Sequence, residues 1–170
     1  MKNSLTVRKI ETDSACRFYS VFNGNIANSR SKAVVNPVNI VGVHGKGVAY
    51  VLFAKFPEAT KKYYRVCRNR TLKTGTVDDA VIDGGRYMVF FPSKEHWRNP
   101  SKMAYIEEGL GALKTWIQEK GIDSIAIPAL GCGEGGLDWK IVKHHIIQSL
   151  KELHCSVFIY EPYIKGQAWA

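Results

Sequence analysis

Asn36 and Asn39 close a buried run, Ala33-Val34-Val35-Asn36-Pro37-Val38-Asn39, and a glycine-rich turn follows, Gly42-Val43-His44-Gly45-Lys46-Gly47. An asparagine offers both a donor and an acceptor, which suits sugar hydroxyls. Glycines let backbone N–H groups approach a phosphate, and a helix opening at that point adds a favourable partial charge. Gly42 and Gly47 have the spacing of a nucleoside triphosphate loop, yet Val48-Ala49 stands where Lys-Ser/Thr belongs, so that reading is rejected. A second segment, Gly131-Cys132-Gly133-Glu134-Gly135-Gly136, carries Gly-x-Gly-x-x-Gly between a predicted strand and a predicted helix. An acid, Glu161, follows the next strand, but the 34 residues after Gly136 are too few to complete a dinucleotide-binding sheet. Two such loops in one small domain fit a pyrophosphate held from two sides. A third segment, Pro92-Ser93-Lys94-Glu95-His96-Trp97-Arg98-Asn99-Pro100, gathers a lysine, a histidine, an indole and an arginine. Lys94 is the residue of interest, because a lysine partly shielded from water loses pKa and becomes a nucleophile for masked aldehydes such as a ribose C1.

Other candidates carry less. Cys132 has a nucleophilic atom but no base placed near it by sequence. Glu134 and Asp138 have the chemistry of a general acid or base, although Asp138 is more simply a helix cap. His144 and His145 are adjacent and diverge on a helix, so they cannot form an i, i+4 metal pair. Asp78, Asp79 and Asp83 lack the spacing of a calcium loop and are expected to mark a turn. Cys16, Cys67, Cys132 and Cys155 show no Cys-x-x-Cys spacing, so buried free thiols are expected, with neither disulfides nor zinc. No metal or cofactor is implied.

The elements that must position these loops alternate. Strands are predicted at Cys16–Phe22, Ala33–Val35, Arg86–Phe91 (stopped by Pro92), Ser124–Ile127 and Ser156–Tyr160. A helix runs from about Gly47 to Lys55, and Pro57 begins another. Ser101 is the expected N-cap of a helix that buries Ile106, Leu110, Leu113 and Ile117 and ends at Gly121. Asp138 caps a last helix carrying Ile141, Ile146, Leu150 and Leu153. About ten residues at each end are expected to be loose. This alternation predicts an α/β sheet covered on both faces, whose ligands sit beyond the carboxyl ends of the strands.

At 170 residues, 45% hydrophobic and 23% charged, the composition is that of one soluble domain, and residues 1–170 are read as such. It excludes general disorder. No apolar run of about 18 residues is present, so no membrane span is expected. The first residues lack a signal-peptide core, and a cytoplasmic monomer is expected. The net charge of +9 is uneven: residues 1–85 hold 14 Lys and Arg against 6 Asp and Glu, residues 86–170 only 10 against 9. Lys55, Lys61, Lys62, Arg65, Arg68, Arg70 and Lys73 oppose Glu58 alone, with Tyr63 and Tyr64 interleaved. Such a face meets a polyanion, with nucleic acid the obvious candidate, or is a solvated helix face.

Ordered motifs now resemble one family. Gly24-Asn25-Ile26 stands where macro domains have Gly-Asp-Ile. Ten residues after Ile26, Val35-Asn36-Pro37-Val38-Asn39 matches their Val-Asn-x-x-Asn element, and the two glycine-rich loops complete the pattern over about Phe18 to Tyr160. Val-Gly-Val-x-Gly-Lys-Gly, Pro-x-Lys-x-His-Trp-Arg and Gly-Cys-Gly-x-Gly-Gly-Leu-Asp-Trp resemble the marks of the DNA ADP-ribosyl glycohydrolase antitoxins, the DarG subgroup. That subgroup is similar to the terminal ADP-ribose protein glycohydrolase type.

The resemblance implies a three-layer α/β/α macro fold with a mixed central sheet, and ADP-ribose as ligand. It implies Lys94 as the catalytic lysine, Asn36 and Asn39 on the distal ribose, and Asn25 and Ile26 at the adenine. The backbone of Val43, His44, Gly45, Lys46 and Gly47, with Gly131, Cys132, Gly133, Glu134, Gly135 and Gly136, would cradle the pyrophosphate. His96, Trp97, Arg98, Lys61, Lys62 and Arg65 would meet nucleic acid. Asn25 stands in place of the usual aspartate, which lowers adenine affinity by about 1 kcal/mol. His44 stands where the subgroup commonly has methionine, beside the distal ribose, and would tune substrate choice. The subgroup's C-terminal toxin-binding region is not expected within these 170 residues.

The implied activity is removal of ADP-ribose from thymidine in single-stranded DNA. Lys94 either attacks the opened C1″ through a Schiff base or positions it for water. A non-catalytic ADP-ribose reader, and a hydrolase of ADP-ribosylated protein or of a small ADP-ribose derivative, stand as alternatives, since the fold serves readers and hydrolases alike.

Overall fold

The computed structural model describes residues 4–163. Among them, seven strands form one sheet in the order β1-β2-β7-β6-β3-β5-β4. The strands are β1 (Thr6–Ile10), β2 (Arg17–Phe22), β3 (Ala33–Asn39), β4 (Asp78–Val81), β5 (Tyr87–Lys94), β6 (Ser124–Ile127) and β7 (Ser156–Tyr160). The five inner strands run parallel, and β1 and β4 close the two edges antiparallel. Helices α1 (Gly47–Lys55) and α2 (Glu58–Arg68) cover one face, α3 (Met103–Lys120) and α4 (Trp139–Leu150) the other.

Strand alternation divides the apolar side chains between the two faces. Val34, Val38, Met88 and Phe90 pack with Leu52, Phe53, Tyr63 and Val66 of α1 and α2. Val35, Val89, Phe91, Ile125 and Ile127 pack with Ile106, Leu110, Ile146 and Leu150 of α3 and α4. Both faces are thus dry, as a parallel sheet requires. Gly109 permits the close approach of α3 to β5: a Cβ there would lie 2.4 Å from Phe91 Cζ.

Several boundaries differ from the sequence reading. Residues 6–10, expected to be loose, pair with β2 as an edge strand. At the other end, residues 161–163 take no regular structure, and the rest lies outside the described residues. β3 continues past Val35 to Asn39, and β5 passes Pro92 to reach Lys94. Neither Pro37 nor Pro92 donates to the ladder, and both sit near a register shift between Val38 and Asn39. Proline there loosens the end of the sheet without ending the strand. Asp78 and Asp79 lie in β4, not in a turn, whereas Asp83 does begin a short 3₁₀ turn. Ser101 does not cap α3: the cap position is Lys102, without a side-chain bond. Asp138 caps α4 as expected, its Oδ1 accepting from the Lys140 and Ile141 N–H groups. Ile141 is 49% exposed and outside the core, while Leu153 is buried just beyond the helix.

Candidate functional site

Adjacency of β6, β3 and β5 in the sheet brings the three unusual loops to one edge. Register places Asn39 opposite Lys94. The lysine therefore stands at the end of a strand whose neighbour delivers both asparagines. Its Nζ donates to the Trp97 carbonyl at 3.4 Å.

Asn36 is fully buried on the α1/α2 side. Its Nδ2 faces Met88 Sδ at 3.4 Å, and its Oδ1 has no hydrogen-bond partner among the described residues. A buried acceptor without a partner is rare and marks a place where a ligand or water completes the bonding. Asn39 is different. Its Oδ1 accepts from the Val41, Gly42 and Val43 N–H groups at 3.1–3.3 Å, and its Nδ2 donates to the Val43 carbonyl at 2.6 Å. The Tyr63 hydroxyl also donates to the Asn39 carbonyl at 2.8 Å. Burial pushes the Tyr63 hydroxyl pKa up, which keeps it a donor. In this arrangement the Asn39 side chain shapes the loop that follows it.

His44 turns into an aromatic cluster. Its ring lies 4.7 Å from Phe53, and its Nε2 and the Tyr64 hydroxyl are 2.6 Å apart. That bond ties the loop after β3 to α2, a coupling no spacing rule disclosed. Lys46 and Glu134 form an ion pair at 3.2 Å that links the two glycine-rich loops; both side chains are exposed. Neither atom of the pair adds much stability in solvent. Gly45, Lys46 and Gly47 stay exposed, as do Gly133, Glu134 and Gly136, although the Gly136 N–H already donates to the Gly133 carbonyl at 3.2 Å.

The loop after β6 is closely packed where Gly135 meets Ser101. The Ser101 N–H donates to the Gly135 carbonyl at 3.0 Å, so Ser101 braces the glycine-rich loop. The Leu137 N–H closes back on the Gly131 carbonyl at the same distance. Burial, with Asp138 second, pushes the Cys132 thiol up to about 11, so it is protonated at neutral pH. It has no thiolate to attack with, and Cys132→Ser is expected to keep turnover within about threefold of the parent chain in a steady-state assay.

After β2, Asn25 is exposed and its Oδ1 accepts from the Ala27 N–H at 3.0 Å, capping a 3₁₀ turn at Ile26–Asn28. Nearby, the Glu161 carboxylate, almost wholly buried, accepts from Ser20 Oγ at 2.8 Å, Trp139 Nε1 at 2.5 Å and Lys143 Nζ. In the sequence Glu161 is only an acid beyond a strand; its partners come from β2 and α4, and only the sheet brings Ser20 to it. Glu161→Ala strands an ammonium and an indole N–H, and is expected to lower unfolding stability by about 2–3 kcal/mol in urea titrations.

The candidate nucleic-acid residues fall into two groups. Trp97 is 45% exposed, with His96 stacked at 5.5 Å and the Arg98 guanidinium 4.5 Å from its ring centroid. On α2, Lys61 and Arg65 are exposed, but Lys62 pairs with Asp78 at 3.2 Å and Asp79 at 3.9 Å. That lysine is committed to β4.

A seven-stranded mixed sheet lies between two helical layers, with two glycine-rich loops and the Asn36 and Asn39 strand meeting at the carboxyl ends of its inner strands. Residues 35–146 match the Macro domain family, and the chain belongs to it. It is 43% identical over 143 residues to a DNA ADP-ribosyl glycohydrolase of Thermus aquaticus, covering 82% of this chain and 40% of the relative. It is 39% identical over 143 residues to one of Mycobacterium tuberculosis, covering 82% and 41%. The chain thus spans about two fifths of the length of these curated relatives. Among solved structures, the macrodomain of Thermus aquaticus DarG superposes with a TM-score of 0.79 at 41% identity, covering 86% of this chain and 98% of that one. Thermosipho africanus DarTG in complex with ADP-ribose gives 0.82 at 32% identity, covering 91% and 43%. No helix among the described residues is long and apolar enough to cross a membrane.

Proposed function

We propose that this chain removes ADP-ribose from a modified base in DNA, with thymidine of a single strand as the acceptor and Lys94 as the catalytic lysine. One observation carries the proposal: Lys94 pairs in register with Asn39, at the end of the strand next to the one that delivers Asn36 and Asn39. The similarity to proteins named DNA ADP-ribosyl glycohydrolase supports the same reading.

ADP-ribose would lie along the carboxyl edge of the sheet. Backbone N–H groups of the exposed residues Gly45, Lys46, Gly47, Gly133 and Glu134 would receive the pyrophosphate, whereas Gly131 and Gly135 are buried and the Val43, Cys132 and Gly136 N–H groups already donate to Asn39, Ala129 and Gly133. The unpartnered Oδ1 of Asn36 would accept from a hydroxyl of the distal ribose. Asn25 and Ile26 would flank the adenine. Bound so, the distal C1″ comes to Lys94. Lys94 Nζ either bonds to C1″ as the bond from C1″ to the thymidine breaks, the thymidine leaving with a proton, after which water hydrolyses the resulting imine of the opened sugar to free the lysine and ADP-ribose; or it holds C1″ while water displaces the thymidine directly. Borohydride trapping of a covalent adduct separates the two routes. Trp97, with His96 and Arg98, offers a stacking surface for an unpaired base. On this reading the chain acts in the cytoplasm as a monomer, without metal or cofactor, in an antitoxin-like reversal of DNA modification.

The test offers the chain three substrates: an oligonucleotide ADP-ribosylated on thymidine, a glutamate-ADP-ribosylated protein and ADP-ribose 1″-phosphate. Release from the oligonucleotide at least tenfold faster than from the others is expected. Release from either other substrate alone would reject the DNA acceptor. Binding of ADP-ribose with no release from any would make the chain a reader.

A further inference from the structure

A groove of about 680 Å³ runs beside α2, lined by residues that include Gly42, Tyr64, Arg68, Arg70, Lys73 and Glu95. Its cations are not used within the fold. Arg68, Arg70 and Lys73 have no ion-pair partner among the described residues, in contrast to Lys62, which Asp78 and Asp79 hold. Three positive groups face one carboxylate, Glu95. Lys61, Tyr64, Arg65 and Arg68 recur at i, i+3, i+4 and i+7, so one exposed stripe of α2 leads into the groove.

The groove adjoins the site. Gly42 belongs to the loop that Asn39 shapes, and Glu95 directly follows Lys94. Tyr64, 40% exposed, is tied to the same loop through His44. Arg70 stands just past the C-terminus of α2 with φ +57°, its N–H donating to the Cys67 carbonyl at 3.1 Å. Glycine ordinarily fills that left-handed position because a Cβ is unfavourable there. Arg70 therefore holds an unfavourable backbone conformation while its guanidinium makes no hydrogen bond or ion pair among the described residues.

We propose that this groove holds the nucleotides flanking the modified one, with phosphates on Arg68, Arg70 and Lys73 and a base on the Tyr64 ring. The proposal rests on the DNA reading above and adds its strand path. The occupant is single-stranded polynucleotide. A base whose sugar link must reach Lys94 has left any duplex, and cations lining a groove beside an aromatic face bind unpaired strands without regard to sequence.

Arg68→Glu/Arg70→Glu is compared with Lys9→Glu/Lys151→Glu, which changes net charge equally on other surfaces. Both are assayed on an ADP-ribosylated single-stranded oligonucleotide and on the ADP-ribosylated thymidine nucleoside. The groove variant is expected to lose at least tenfold in kcat/KM on the oligonucleotide, through KM, and to match the parent chain on the nucleoside. Its log–log salt dependence should become shallower by about 1.4, the value for two lost phosphate contacts on a single strand. Arg70→Gly gives a second test that does not depend on charge reversal being tolerated: Tm unchanged or higher, with oligonucleotide KM raised severalfold. Equal oligonucleotide kinetics in the groove variant and its charge-matched control overturn the groove while leaving the DNA reading intact. A parent chain that turns over the nucleoside and the oligonucleotide equally also overturns the groove. If the parent chain releases nothing from either, the DNA reading itself fails, and the groove with it.

Discussion

Lys94→Ala is expected to lower release of ADP-ribose from a modified oligonucleotide by about 10³-fold or more, within the range of positioned nucleophiles and electrostatic stabilisers. Affinity for free ADP-ribose, measured by calorimetry, should stay within about threefold. The split follows from the side chain's position. Its Nζ meets the Trp97 carbonyl and is not part of either glycine-rich loop, so removing it leaves the diphosphate grip in place. Lys94→Arg distinguishes its two possible roles. A guanidinium keeps the charge but cannot form an imine. Activity as low as that of Lys94→Ala points to covalent addition, and recovery of tenfold or more points to electrostatic positioning. Equal turnover by parent chain and Lys94→Ala would remove the lysine from the chemistry.

Gly135→Ala should remove ADP-ribose binding and weaken the fold together. A Cβ at Gly135 would sit 2.3 Å from Ser101 Oγ and 2.4 Å from the Gly131 carbonyl oxygen. Serine can rotate its hydroxyl, but the carbonyl belongs to the backbone of the loop and accepts the Leu137 N–H. The loop must therefore shift as a unit. Overpacking of this kind costs about 1–3 kcal/mol, a fall in Tm of about 3–10 °C for a domain of this size. If this loop cradles the pyrophosphate as proposed, its displacement should raise the Kd for ADP-ribose by at least about 100-fold. Gly133→Ala is the matched control, because a Cβ there meets nothing within 4 Å. Its Tm should equal that of the parent chain. An unchanged Kd in Gly135→Ala would show that this loop does not contact the ligand.

The parts of the fold that were legible in the sequence are those where local signals agree with tertiary packing. The buried runs at Ala33–Val35 and Ser124–Ile127 and the Asp138 cap all appear where periodicity and capping put them. Edge strands escaped, because β1 and β4 carry charge and bury little. Thr6–Ile10 becomes a strand only by pairing with β2, and Asp79 is held by Trp116 Nε1 at 2.8 Å from across the domain. Proline misled at Pro92, where the strand continues because the ladder is already opening. The three site loops were visible by composition alone. What brings them together, the order β6-β3-β5, was not, since it depends on which strands pair. The position of Ser101 in the sequence suggests a cap, whereas its role as brace depends on Gly135, 34 residues later.

The most direct measurement is the mass of a single-stranded oligonucleotide, ADP-ribosylated on one thymidine, before and after incubation with catalytic amounts of the chain. A loss of one ADP-ribosyl group, with intact thymidine and free ADP-ribose recovered in equal amounts over many turnovers, is the result expected. An unchanged oligonucleotide mass, in a preparation that binds ADP-ribose by calorimetry, would contradict the proposed hydrolase.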